Sequence, residues 1–178
     1  MPLLPIHLLG SPVLREASAP VAEVTEEVRR LVDDMFETMD AAEGVGLAAN
    51  QIGQALRIAV VDADGERFAM INPMIVEASG KASEEEGCLS IPEVYAEVTR
   101  PERVVLEATG RDGVRYRLEA DGLKARAIQH EIDHLDGILF LDRLSPMKRR
   151  RQDAKYRLDH NDRESLLREV ARPSGRTP

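Results

Sequence analysis

Aromatic side chains are scarce in this 178-residue chain, which has three Phe, three Tyr and no Trp. Its core must therefore be built from aliphatic residues. Cysteine occurs once, as Cys88, which excludes an intrachain disulfide and fits a reducing compartment. No apolar run approaches the roughly 20 residues of a membrane-spanning helix. Met1 to Leu9 is apolar but short, with no basic stretch ahead of it, so it does not read as a secretory signal. A cytoplasmic location, with no membrane partner, is the expectation. A net charge of −8 argues against general binding to nucleic acid or anionic lipid. Positive charge is instead confined. Residues 145–178 hold ten Lys/Arg against five Asp/Glu, which leaves the other 144 residues at −13. No internal repeat and no linker divides the chain. Its length and its 43% hydrophobic content suit one domain over 1–170, with 171–178 expected to be a disordered tail and the whole expected to be monomeric.

The hydropathy pattern predicts an α+β fold. Residues 1–24 read as an irregular arm, punctuated by Pro5, Pro12 and Pro20, with a short helical turn near Ser11-Pro12-Val13-Leu14. Thr25 looks like an N-cap, and Val28, Leu31, Val32, Met35, Phe36 and Met39 recur at helical spacing, which predicts a helix over 26–42. From Arg57 to Ala120 the pattern is of short strands at 58–61, 68–71, 74–76, 94–98, 104–108 and 114–119. Their turn signals, such as Asp64-Gly65 and Gly110-Arg111-Asp112-Gly113, imply mostly antiparallel pairing. The stretch Glu85–Pro92 reads as a loop between the third and fourth strands. Pro146 can start a helix through about Leu158, and a second short amphipathic run lies around Glu164–Val170.

Histidine is rare, yet two of the four, His130 and His134, fall at i and i+4 in Gln129-His130-Glu131-Ile132-Asp133-His134-Leu135. On a helix they project from one face and can grip one divalent metal, and Glu131 stands beside them as a candidate general base. Asp121 is a candidate N-cap and Gly137 a candidate C′ residue. Ile128, Ile132, Leu135, Ile138 and Leu139 cover much of the remaining circumference, so this helix is expected to be central, with the antiparallel sheets packed around it. The plainer alternative is two histidines on an amphipathic helix with an incidental Glu. Upstream, Glu43-Gly44-Val45-Gly46-Leu47-Ala48-Ala49-Asn50-Gln51 is not a phosphate loop, since no Lys-Ser/Thr follows. Its glycines suggest backbone packed close to something, and Gln51 is either a buried, satisfied amide or a solvated one. Cys88, in Glu86-Gly87-Cys88-Leu89-Ser90, is either a small buried hydrophobe or a third metal ligand.

Taken in order, Gly46–Gln51, Glu86–Ser90 and Gln129–Leu135 closely resemble the three signature motifs of peptide deformylase, and the resemblance runs from about Leu9 to Lys148. It implies a metal-dependent hydrolase that removes the N-formyl group from the initiator methionine of newly made polypeptides. Carried over residue by residue, it implies Cys88, His130 and His134 as metal ligands, Glu131 as proton carrier, and Gln51 with the Leu89 N–H as donors to the oxyanion. One Fe(II) per chain is implied, with Zn(II), Ni(II) or Co(II) as possible substitutes. It also implies that the basic segment 146–158 docks on the ribosome.

The methionine pocket is expected to be lined by Val45, Leu123 and Ala127, near Glu43, Gly46 and Gly87. Three positions depart from the best-known members. Tyr95 stands where an Arg is common, and Arg126 and Glu84 stand where apolar residues are common. Arg126 is expected to lay its stem along the pocket wall and to meet Glu84 at the rim, while Tyr95 offers a ring and a hydroxyl to the substrate. The alternative is that all three face solvent. A metzincin-type protease is a competing reading, but its third His would fall at Phe140. A catalytically silent relative is another, disfavoured because every expected catalytic residue is present.

Overall fold

The computed structural model describes residues 3–160 and 165–172. The expected tail at 171–178 therefore lies, from 173 on, outside the described residues. In chain order the elements are β1 (Ile6–His7), α1 (Glu26–Ala41), β2 (Gly46–Ala48), β3 (Ile58–Ala63), β4 (Glu66–Ser79), β5 (Ala82–Cys88), β6 (Ile91–Arg100), β7 (Arg103–Thr109), β8 (Arg115–Asp121), α2 (Gly122–Leu135), α3 (Pro146–Asp159) and β9 (Leu167–Arg168). Single helical turns occur at Pro12–Arg15, Ala49–Ile52 and Phe140–Arg143.

Five strands form one antiparallel sheet in the order β2-β3-β4-β7-β8. Its centre is apolar on both faces. Ile58 and Val60 of β3 pack with Val32, Met35 and Met39 of α1, whereas Ala59 and Val61 pack with Ala125, Ile128 and Leu135 of α2. The unbroken run Ile58-Ala59-Val60-Val61 is the signature of a strand buried on both sides. Helix α1 starts where expected, since the Thr25 hydroxyl accepts from the Val28 N–H at 3.3 Å. Helix α2 packs behind the sheet and is buried along most of its length. A third cluster joins β6, the turn at 140–143 and α3 through Val94, Val98, Phe140, Leu141 and Tyr156.

Four expectations need correction. The strands expected at 68–71 and 74–76 are one long strand, β4, which runs through Asn72-Pro73 with a register shift there. A bulge admits both residues: Asn72 takes φ +50°, its side chain pairs with both main-chain groups of Val21, and Pro73 has no N–H to give a ladder. Glu85–Pro92 is not a loop but the tip of the β5–β6 hairpin, in which Cys88 pairs with Ile91 across Leu89-Ser90. Asp121 occupies the N-cap position of α2 without a capping bond; Asp64, from the β3–β4 turn, accepts from the Lys124 N–H instead. The run near 164–170 is not helical among its described residues. Leu167 and Arg168 form a short strand antiparallel to β1.

Candidate functional site

A cleft of about 620 Å³ opens between the segment 42–51, the β5–β6 hairpin and α2. Its walls include Glu43, Val45, Gly46, Gln51, Gly87, Cys88, Leu89, Tyr95, Leu123, Arg126, Ala127, His130 and Glu131. Of the residues expected to form the site, two are not on that wall: His134, which lies just beneath it with 1% exposure, and the exposed Glu84.

The floor is a set of soft and nitrogen donors. Successive turns of α2 bring His130 Nε2 within 3.2 Å of His134 Nε2, and Cys88 Sγ lies 3.3 Å from the latter. Ligand atoms of all three residues fall within 4.8 Å of one another, so the group can hold a metal ion. The spacing fits: a tetrahedral ion with metal–nitrogen lengths of about 2.1 Å holds two nitrogens about 3.4 Å apart. Orientation fits too. His130 Nδ1 donates to Glu86 Oε1 at 2.9 Å, which leaves the Nε2 lone pair facing inward. Burial pushes His134 well below its ordinary pKa, toward the neutral form that ligates metals.

Glu86 is itself held firmly. It receives Arg100 through two hydrogen bonds, at 2.6 and 2.9 Å, and Arg126 through one. Burial would raise its carboxyl, but His130 and Arg100 outweigh burial and bring it down to about 2. Arg100 also reaches Asp133, which pairs in turn with Arg143. A buried ionic layer thus lies behind the candidate metal ligands and braces His130.

Glu131 points the other way. Its Oε2 is buried and has no hydrogen-bond partner among the described residues, and burial pushes its carboxyl up to about 7. Gly46 lies directly against it, since a Cβ at Gly46 would sit 2.6 Å from Glu131 Oε1. That is the close approach foreseen for the glycine-rich segment; what approaches is the helix carboxylate. Gln51 is buried and anchored, with Oε1 accepting from the Ala48 N–H at 2.9 Å and Nε2 donating to Ser90 Oγ at 3.0 Å. Its other contact, Nε2 to Cys88 Sγ, is long at 3.7 Å. Asn50 ties this segment to α2 by donating to the His134 carbonyl.

The sequence profile of the polypeptide deformylase family matches residues 3–150. The chain belongs to the polypeptide deformylase family. A peptide deformylase from Legionella pneumophila is 41% identical, with a TM-score of 0.82 over 91% of this chain and 99% of its own. The Thermus thermophilus peptide deformylase is 42% identical, with a TM-score of 0.81 over 89% and 93%. The Synechococcus elongatus enzyme, solved with actinonin, is 39% identical, with a TM-score of 0.83 over 96% and 92%. Like its relatives, the deformylase described here is a metal-dependent hydrolase that removes the N-formyl group from the initiator methionine of newly made polypeptides.

The rim departs from expectation. Arg126 does not meet Glu84. Its guanidinium is buried against Glu86 and the carbonyls of Val98 and Ala82, because a partly buried cation needs partners that exposed Glu84 cannot provide. Tyr95 is 61% exposed, and its ring lies over Gly87, where a Cβ would come within 2.7 Å of it. Several residues escaped sequence reading. Glu86 and Ser90 stood inside quoted motifs with nothing to mark their partners. Arg100, Arg143 and Arg168 carried no local signal at all, and Arg168 reaches the cleft from β9.

Proposed function

We propose that Cys88, His130 and His134 hold one divalent ion per chain, Fe(II) in the native enzyme, with Zn(II), Ni(II) or Co(II) as working substitutes. The observation that carries this reading is the convergence of three ligand atoms within 4.8 Å beside the unpartnered, buried Oε2 of Glu131. A thiolate with two imidazoles is a donor set that these metals accept, and three protein ligands leave one position open for chemistry. When bound, such an ion supplies a Lewis acid for the formyl carbonyl and favours the nucleophilic form of water near neutral pH.

The remaining work falls to the chain itself. Glu131 takes a proton from the attacking water at its carboxylate and returns it to the departing amine. The carbon–oxygen bond forms, the carbon–nitrogen bond breaks, and formate leaves with the peptide amine freed. Oxygen charge that develops on the formyl group meets two donors, the Leu89 N–H and one N–H of Gln51. The other Gln51 N–H is committed to Ser90, which fixes the direction of the amide. Val45, Leu123 and Ala127 form an apolar wall for the methionine side chain. Glu43, Gly46, Gly87, Arg126 and Tyr95 complete the cleft around the substrate, with the Tyr95 hydroxyl available to its backbone.

The decisive assay offers the purified enzyme formyl-Met-Ala-Ser and unformylated Met-Ala-Ser. Formate release from the first, without cleavage of the second, separates this reading from an H-E-x-x-H protease; cleavage of the second would sink it. Cys88→Ala should lower the metal content as well as the rate.

Among the described residues no helix is long and apolar enough to cross a membrane. In the proposed setting the enzyme is a cytoplasmic monomer that meets nascent chains at the ribosome. Lys148, Arg150, Arg151, Lys155 and Arg157 on α3 would face ribosomal RNA phosphates. Charge neutralisation of Lys148, Arg150 and Arg151 is the clean test, since truncation after α2 also removes β9. Ribosome co-sedimentation should fall and become less salt-dependent, and unchanged co-sedimentation would dispose of the idea.

A further inference from the structure

Arg168 sits on the wall of the cleft although it comes from the segment that follows α3. Main-chain pairing delivers it there. Residue 168 is opposite Ile6 in the β1–β9 ladder, the Leu8 N–H donates to the Leu166 carbonyl at 2.7 Å, and Val170 packs into the cluster beneath α1. The half-buried guanidinium donates from Nη1 to the main-chain carbonyl of Leu89 at 3.4 Å. Leu89 and Ser90 form the tip of the β5–β6 hairpin, and the Ser90 carbonyl is held in turn by the Leu9 N–H at 2.9 Å.

The charge around Arg168 is unusual for a surface arginine. Among the described residues no carboxylate lies within ion-pair distance of it. The exposed ionic groups on the same wall are Glu43, Glu85 and Glu93, all negative. The other arginine there, Arg126, has its guanidinium engaged by Glu86 and two carbonyls. A guanidinium carries five N–H donors and no acceptor, so one bond to Leu89 leaves most of its capacity for a ligand.

We propose that Arg168 is a substrate-positioning residue that binds a peptide oxygen downstream of the formyl-methionine. This rests on the deformylase reading of the cleft. The formyl oxygen already has Gln51 and the Leu89 N–H, and the methionine side chain is apolar. The acceptors left on the substrate are therefore the main-chain carbonyls beyond methionine or, in a short peptide, the terminal carboxylate. Anchored on the Leu89 carbonyl, Arg168 would register the chain against the hairpin whose preceding N–H serves the reaction.

The test compares wild type, Arg168→Ala and Arg168→Lys as full-length, metal-loaded enzymes. Substrates are formyl-Met amide, formyl-Met-Ala-Ser and formyl-Met-Ala-Ser amide. Arg168→Ala should raise KM for both tripeptides roughly five- to twenty-fold, leave kcat within about two-fold and leave formyl-Met amide unaffected, as loss of one charge-assisted contact predicts. Arg168→Lys should recover part of the loss. A larger effect on the free acid identifies the carboxylate as the acceptor; equal effects on both tripeptides identify a main-chain carbonyl. Unchanged tripeptide KM in a variant with wild-type thermal stability overturns the proposal. A matching fall in kcat on formyl-Met amide also overturns it, because Arg168 would then act only through Leu89. Wild-type turnover of formyl-Met amide checks the deformylase reading independently.

Discussion

Gly46→Ala isolates one consequence of the site's packing. The added Cβ would lie 2.6 Å from Glu131 Oε1, 2.9 Å from its Cγ and 3.0 Å from its Cδ. Real Cβ atoms do not come that close, so something must move. The Gly46 backbone is held in the β2–β3 ladder opposite Val61, and Glu131 belongs to a buried helix turn between two metal-ligand candidates. The carboxylate is the softer partner and should swing aside. Overpacking of this kind costs about 1–3 kcal/mol, and a displacement near 1 Å at the reacting group lowers kcat about 100-fold. Metal content should remain that of wild type, because the three atoms nearest the new methyl all belong to Glu131. Formate release from formyl-Met-Ala-Ser gives the rate, elemental analysis the metal, and thermal denaturation the stability. A second variant gives the internal control: in a Glu131→Ala background the same Gly46→Ala change should cost little stability, since the clashing atoms are gone. A Gly46→Ala enzyme with wild-type kcat would refute the claim that Glu131 must lie against Gly46.

Two more outcomes follow from the ionic layer and its neighbours. Arg100→Met leaves buried Glu86 and Asp133 each short of a partner, so it should destabilise the fold by about 3–5 kcal/mol in urea titrations. Chelator competition should show about 10–100-fold weaker metal binding, because Glu86 then orients His130 less well. Asp142 has a carboxyl that burial would raise, but Arg15 and the Leu139 N–H hold it below its ordinary value of 3.8. A depressed folded-state pKa stabilises above the unfolded value, and that contribution fades as pH falls through the folded one. Asp142→Asn should therefore be less stable than wild type at pH 7, with the gap closing in acid; a gap that widens in acid would contradict the assignment.

Parts of the molecule that depend on local periodicity are legible in the chain. Helix α2 announces itself because His130 and His134 share a face at i and i+4. The apolar residues of α1 at helical spacing and the run at 58–61 declare their burial in the same way. Cys88 and Gln51 gain meaning only beside that helix, through the order of three short motifs. What stayed hidden depends on pairing between distant, polar segments. Strand β5 begins Ala82-Ser83-Glu84-Glu85-Glu86, which has no apolar alternation; only Glu86 of these is buried, and Arg100 across the hairpin and Arg126 on α2 make that possible. Asp64 caps α2 from 60 residues away in sequence. Arg168 enters the cleft through a two-residue strand, too short for any pattern to reveal. Arg126 is visible as a departure, but motif alignment points to Glu84 as its partner, whereas the folded chain gives it Glu86.

The central claim is that Cys88, His130 and His134 hold the metal while Glu131 carries the proton, so the most direct measurement is on purified Glu131→Gln loaded anaerobically with Fe(II). One ion per chain should remain bound and the fold should be unchanged, while formate release falls by about 100- to 10,000-fold, the range expected when a positioned proton carrier is removed. Turnover at the wild-type rate, or loss of the ion with the carboxylate, would contradict the account.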